Sequence, residues 1–160
     1  MKRKLIISGH SNGLGRALAE YYLRRGDEVL GLSRRRVAVE PSEKLQQHII
    51  DLSDSAAVAA LPSDGPIADF MHAADGVVLI NDAGTVQPSA MLGRQNDAEI
   101  IASAALNITA PLLLANEACR QKTANAVLKI VHISSGAWRN AYSGWSVYGA
   151  GKAALDHHAR

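Results

Sequence analysis

The sequence predicts an α/β fold: a doubly wound parallel sheet in three α/β/α layers. Three observations carry this. Short apolar runs alternate with helix-periodic segments along all 160 residues. A glycine-rich turn, Ser8 to Gly15, stands between the first apolar run and the first helical pattern. The run Val77-Val78-Leu79-Ile80 is continuous rather than alternating, as a strand covered on both faces requires.

The elements follow in order. Lys4–Ser8 reads as a first strand and 13–25 as a helix. There Leu14, Ala17, Leu18 and Tyr21 have the spacing of one buried face. Gly26 ends that helix, with Arg24 and Arg25 in its last turn, where the dipole favours cations. Further strands are read at 28–33, 47–51, 76–81 and 127–134. Between the third and fourth, Pro62 and Pro66 break the helical signal. From Ala98 to Asn116 the only charge is Glu99, so this helix is expected to be covered on more than one side, by the sheet and by a partner subunit. The last residues, Ala153 to Arg160, are helical in composition and carry no stop signal.

Composition narrows the function classes. The hydrophobic fraction is 48% and the charged fraction 20%, which excludes a disordered or collagen-like chain. A net charge of +2 is too small for a nucleic-acid or membrane footprint, so neither partner is expected. Cys119 is the single cysteine and cannot form an internal disulfide, which fits a reducing compartment. Three apolar residues before Ser8-Gly9 are too few for a signal-peptide core, and no uninterrupted apolar run reads as a membrane span. The expected location is the cytoplasm.

The strand–turn–helix arrangement around SGHSNGLG presents unpaired N–H groups and a positive dipole end to an anion, and glycines let the backbone come close. A dinucleotide pyrophosphate suits that environment. At the end of the second strand the sequence reads Ser33-Arg34-Arg35-Arg36, with no carboxylate to hold a ribose 2′-OH. A guanidinium fork there would take the 2′-phosphate of NADP, and a solvated basic loop is the alternative.

Tyr148 and Lys152 stand four residues apart and share a face if helical. A cation beside a phenol favours the phenolate and suits it to acid–base work. By itself the pair is more often a surface accident. Ser135, 13 residues upstream, ends the fifth strand, and Asn81-Asp82-Ala83-Gly84 follows the fourth at the same edge of the sheet. Asn107 lies four residues before Pro111, which has no N–H to give the Asn107 carbonyl; a simple kink is the other reading.

Taken together, Gly9-x-x-x-Gly13-x-Gly15, NDAG, Ser135 and Tyr148-x-x-x-Lys152 resemble the short-chain dehydrogenase/reductase family over essentially the whole chain. Ser8 stands in place of the usual Thr of TGxxxGxG, and Asp82 in place of the second Asn of NNAG. The resemblance implies a Rossmann-like nicotinamide-binding domain and a small-molecule carbonyl or alcohol substrate; with the arginines after the second strand, NADP(H) is expected in preference to NAD(H). It also implies a homo-oligomer, dimer or tetramer. It assigns Tyr148 to proton transfer, Lys152 to the nicotinamide ribose and Ser135 to the reacting carbonyl, with Ser134 the neighbour that could be mistaken for it. Asn107 would hold a relay water on its main-chain carbonyl. The implied cofactor contacts are Gly9, Ser11, Asn12, Gly13, Leu14, Gly15, Ser33, Arg34, Asp51, Leu52, Asn81, Ala83 and Gly84, together with Tyr148 and Lys152. Asp51 would meet the adenine, or else serve as a helix cap or loop carboxylate. No metal site is expected.

Family members continue with two more strands and a substrate loop. The expectation is therefore a domain missing the family's last strands, in which Tyr148 and Lys152 are poorly held. A dinucleotide-binding module without turnover is the alternative to an enzyme. Four of the seven aromatic residues (Trp138, Tyr142, Trp145 and Tyr148) fall within eleven positions, as either a wall for an apolar or planar substrate or a satellite core cluster.

Overall fold

The computed structural model describes residues 3–40, 43–61 and 65–160. Five strands, β1 (Arg3–Ser8), β2 (Glu28–Ser33), β3 (Leu45–Ile49), β4 (Gly76–Asn81) and β5 (Val127–His132), form one sheet in the order β3-β2-β1-β4-β5. Every pair is parallel. Helices α1 (Gly13–Arg24), α2 (Ser55–Ala59), α3 (Pro66–Met71), α4 (Asp97–Ala104), α5 (Ala110–Gln121) and α6 (Ser146–His158) connect and flank the strands. The winding reverses between β1 and β4, the place where open α/β sheets bind ligands. Ser8 pairs with both Leu32 and Asn81, and Asn81 with His132, so the carboxyl ends of four strands come level there.

The sheet is buried on both faces because β1 alternates between two cores. Leu5 and Ile7 pack with Leu23 and Val29 on the α1 side. Ile6 packs with Phe70, Leu79 and Leu114 on the other. Burying one such side chain is worth about 1.5–3 kcal/mol.

The face expected for α1 is off by one position. Gly15, Ala19 and Leu23 are its buried residues, while Leu14 and Tyr21 are half exposed. Close approach decides this: a Cβ at Gly15 would lie 2.5 Å from the Gly9 carbonyl oxygen, so the helix turns Gly15 inward, where a side chain could not fit. β3 begins and ends two residues earlier than expected, because it pairs from Val29↔Leu45 to Ser33↔Ile49 and Asp51 already belongs to the following turn. β5 ends at His132; the Ile133 N–H still donates to Asn81, and Ser134 has left the sheet. Pro66 opens α3, where its missing N–H costs nothing, while Pro62 lies outside the described residues.

The apolar helix runs further than expected, from Asp97 to Gln121. Its 25 residues are long and apolar enough to cross a membrane by length and composition, contrary to the sequence reading. In the fold, however, Ala110, Leu114, Ala115 and Ala118 are buried in the core. The Asn96 side chain caps it by accepting from the Glu99 N–H, with Asp97 and Glu99 in the first turn. At Ala105–Thr109 it widens into a π-turn just before Pro111, whose ring leaves the Asn107 carbonyl without its ordinary donor.

Candidate active site

The site forms where the loops after β1, β2, β3 and β4 meet the π-turn and α6. The loop after β1 is stitched to its neighbours. Gly9 N–H donates to the Leu32 carbonyl at 2.8 Å, and the Ser8 hydroxyl accepts from the N–H groups of Asp82 and Ala83 at 3.1 and 3.2 Å. The hydroxyl kept at Ser8 is thus used, which explains why Ser can stand in for Thr. Gly9 has φ +80°, and a Cβ there would sit 2.9 Å from the Ala83 nitrogen.

A cavity of about 310 Å³ opens above these loops. It is lined by Gly9, Ser11, Asn12, Gly13, Leu14, Ser33, Arg34, Asp51, Leu52, Ala83 and Gly84, all expected to meet the cofactor. Four expected residues do not line it: Tyr148 and Lys152 line an adjoining cavity, and Gly15 and Asn81 line neither. Gly15 is buried beneath the loop against Gly9. Asn81 is buried with its Nδ2 at 3.4 Å from the Pro111 carbonyl and 3.2 Å from His132 Nδ1, so it braces the cavity floor. The cavity also takes in Arg35, Ile50, Ser53, Asp82 and Leu106, which were not expected as cofactor contacts. Ser53 was readable in hindsight: its N–H and hydroxyl both donate to Asp51 Oδ1, at 2.9 and 2.7 Å. Those two bonds, with help from the Arg34 charge, hold the Asp51 carboxyl below its ordinary range. Leu106 gave no such signal, since only the π-turn aims it here.

A second cavity of about 170 Å³ adjoins the first through Asp82 and Gly84. Thr85, Val86, Ile133, Ser134, Tyr148 and Lys152 complete its lining. Helix α6 carries Tyr148 and Lys152 into place. Gly151 meets Asn107 so closely that a Cβ would stand 3.2 Å from the Asn107 Cβ. Lys152, expected to be poorly held, is 4% exposed and donates to the Ile133 carbonyl at 2.6 Å. Its Nζ lies 5.6 Å from the centre of the Tyr148 ring. Burial pulls the Lys152 ammonium below its ordinary range, against the nearby Asp82 charge. Burial pushes the Asp82 carboxyl up, against the Gly15 N–H and the Lys152 charge.

Asn107 is 2% exposed and spends its whole side chain on positioning. Its Oδ1 accepts from the Thr85 N–H at 2.9 Å, and its Nδ2 donates to the Thr85 carbonyl at 2.8 Å and to Ser103 Oγ at 3.0 Å. The side chain thereby fixes the loop after β4. Ser135 does not line the second cavity; its Oγ accepts from the Ala137 N–H at 3.2 Å and starts the short turn Gly136–Trp138. Ser134 does line it. His132 bonds to Asn81 and, at 3.0 Å, to His158. Burial first, then the His158 and Lys152 charges, lower the His132 pKa.

A nicotinamide dinucleotide fits the residues present. The cradle has two positions that a Cβ would fill, at Gly9 and Gly15. The α1 N-terminus has no side-chain cap and no acid in its first turn, leaving N–H donors for a pyrophosphate. Residues 3–160 match the family model described as short chain dehydrogenase. The chain belongs to that family. Among its short-chain dehydrogenase relatives is a benzil reductase ((S)-benzoin forming) from Bacillus subtilis, 37% identical over 97% of this chain. Another, of the same description, is from Bacillus cereus and is 28% identical over 96% of the chain. The chain spans 64% and 65% of the lengths of these two relatives. A solved short-chain dehydrogenase/reductase from Burkholderia vietnamiensis is 43% identical and superimposes with a TM-score of 0.94, over 99% of this chain and 75% of that one. A metagenomic short-chain oxidoreductase in complex with NADP (29% identity, TM-score 0.83) and a 4-hydroxyisoleucine dehydrogenase complexed with NADH (26%, 0.82) share the fold; the chain covers 98% of itself in each, against 71% and 66% of those proteins.

Proposed function

We propose that this short-chain dehydrogenase transfers a hydride between NADP(H) and a carbonyl/alcohol pair, with aryl ketones and vicinal diketones as its substrate class. The observation that carries the reading is the shared cavity of Tyr148 and Lys152, continuous with the glycine-loop cavity through Asp82 and Gly84. In the reductive direction the glycine-loop cavity would hold a reduced nicotinamide dinucleotide, whose chemistry there is donation of the hydride. Ser135 Oγ–H, turned from its place at the Gly136–Trp138 turn, donates to the carbonyl oxygen and polarises it, and Tyr148 Oη–H delivers the proton that completes the alcohol. Lys152 favours the resulting phenolate and binds the nicotinamide ribose. The Asn107 main-chain carbonyl holds the water through which the proton is restored.

The cofactor preference rests on Arg34 and Arg35, which line the cavity where no carboxylate follows β2. The substrate class rests on a ladder of rings leading to Tyr148. Tyr142 meets Trp145, and Trp145 meets Tyr148, each edge to face at 5.5 Å between centres. The names of the two Bacillus relatives point the same way. The lone, free Cys119 agrees with a cytoplasmic location. Ile101, 70% exposed on α4, agrees with a homo-oligomer.

The test is an assay of the protein in its natural reading frame, with NADPH and then NADH, against benzil and a panel of aldehydes, ketones and quinones. Consumption of NADPH with benzil is the expected result. No turnover of any carbonyl with either cofactor overturns the reading. Arg34→Ala should cost NADPH about 1.5–3 kcal/mol of binding and leave NADH nearly unchanged; equal loss removes the NADP preference.

A further inference from the structure

His10, inside the glycine loop, is completely buried yet lines neither cavity. Its ring lies over β2: a Cβ built on Gly31 would overlap three ring atoms, so only glycine fits at that position. From there His10 Nε2 reaches Gln47 Oε1 on β3 at 2.9 Å. The same Oε1 accepts from the Val37 N–H at 2.9 Å, and Gln47 Nε2 donates to the Val37 carbonyl at 3.0 Å. The two Val37 bonds fix which way the amide faces, since a backbone N–H only donates and a backbone carbonyl only accepts. Oε1 therefore faces His10, and Nε2 of the imidazole carries the hydrogen. Nδ1 is left buried without a partner.

Val37 is the first residue after Arg34-Arg35-Arg36. The arginine turn is thus held at both ends: by Ser33 Oγ donating to the Arg35 carbonyl at 2.7 Å, and by the Gln47 amide on Val37. All three arginines are exposed, while Val37 and the buried Val39 beyond them pack into the core on the α1 side. A buried polar side chain with an orphaned nitrogen is a costly choice for a loop position, and a purely apolar filler would serve packing alone.

We propose that His10 is a positioning residue for the cofactor's 2′-phosphate: through Gln47 and Val37 it locks the arginine turn to the glycine loop, so that the sites for the pyrophosphate and the 2′-phosphate are held at one fixed separation. The proposal rests on the NADP reading above. The cofactor-selecting signal accordingly lies in His10, Gly31 and Gln47 as well as in the arginines that touch phosphate. Loosening the lock leaves the glycine loop able to take a pyrophosphate but lets the arginine turn wander.

Calorimetric titration of NADPH, NADH, 2′,5′-ADP and 5′-AMP at fixed salt tests this, with Arg34→Ala, His10→Ala, Gln47→Leu and the pair His10→Ala/Arg34→Ala. Gln47 is only partly buried on an edge strand, so Gln47→Leu retains a folded protein even if His10→Ala does not. His10→Ala and Gln47→Leu should each lower the NADPH-over-NADH and 2′,5′-ADP-over-5′-AMP preferences by about tenfold, the scale of one charged hydrogen bond. In the Arg34→Ala background, His10→Ala should change those ratios no further. Unchanged ratios in Gln47→Leu and His10→Ala, with the NADPH preference lowered in Arg34→Ala, overturn the lock and leave the NADP reading standing. Ratios unmoved by Arg34→Ala overturn the NADP reading and the lock with it.

Discussion

Lys152 Nζ donates a 2.6 Å hydrogen bond to the main-chain carbonyl of Ile133. That bond joins the middle of α6 to the point where the chain leaves β5, just before Ser134 and Ser135. An ammonium taken out of water must be repaid by a short, well-aligned acceptor. Its effect on geometry is to set the height of α6 against the end of β5, and so the distance between Tyr148 and the two serines.

The first prediction separates the roles of the Tyr148–Lys152 pair. Tyr148→Phe removes only a hydroxyl and should lower turnover on the order of 10²–10⁴-fold while keeping dinucleotide affinity. Lys152→Ala also unties Ile133 and should lower both turnover and affinity. Kinetics with parallel binding titrations will show this; substantial turnover by Tyr148→Phe removes the residue from proton transfer.

The two serines are told apart by their surroundings. Ser134 lines the small cavity, whereas Ser135 Oγ caps the Gly136–Trp138 turn in the structure. If Ser135 swings from that turn to the carbonyl, Ser135→Ala should lower kcat about 10²–10³-fold, as loss of an oxyanion donor does, and Ser134→Ala less than about threefold. The reverse pattern would hand the role to Ser134.

Much of this site could be read from the sequence because its chemistry is local. Gly9, Gly13 and Gly15 sit in one turn, and Tyr148 and Lys152 on one helix face. β2 and β4 fall where their apolar runs lie, Glu28–Ser33 and Gly76–Asn81. What escaped the sequence depends on tertiary contact. The buried face of α1 was misplaced because the choice of Gly15 as the inward position depends on the Gly9 carbonyl. β3 slipped by two residues because its pattern, Leu-Gln-Gln-His-Ile, is polar at an edge, and only pairing with β2 fixes its register. Asn81 reads as a ligand in sequence, and its side-chain bonds to His132 and Pro111 are set by tertiary contact that the sequence does not display.

Asn107 offers a test of positioning by side chain. Asn107→Leu keeps the volume and the helix but leaves the Thr85 N–H and carbonyl without the partners that hold the loop after β4. Losing a buried partner costs roughly 1–3 kcal/mol. The urea midpoint should fall by that cost divided by the m-value, which stays unchanged, and the affinity for dinucleotide should fall with it. A midpoint within experimental error of the parent would mean that water satisfies Thr85 equally well.

Asp82 makes stability depend on pH, with a sign opposite to that of a carboxylate in a salt bridge. Burial holds its carboxyl above the ordinary range in the folded protein, even against the Gly15 N–H and the Lys152 charge, which pull it down. The folded state therefore binds this proton more tightly than the unfolded chain does. The contribution to stability is fully present below the ordinary carboxylate pKa and is lost as pH rises through the raised, folded one. At neutral pH the charged, half-buried Asp82 is a net cost. Asp82→Asn keeps an oxygen to accept from Gly15 and resembles the protonated acid in shape. Its thermal midpoint should exceed the parent's at neutral pH, and the difference should shrink as pH falls into the acid range. Midpoints measured across that range in matched buffers check the slope; two parallel curves would mean that Asp82 carries no burial penalty, and a gap that widens toward acid would reverse the sign assigned to it.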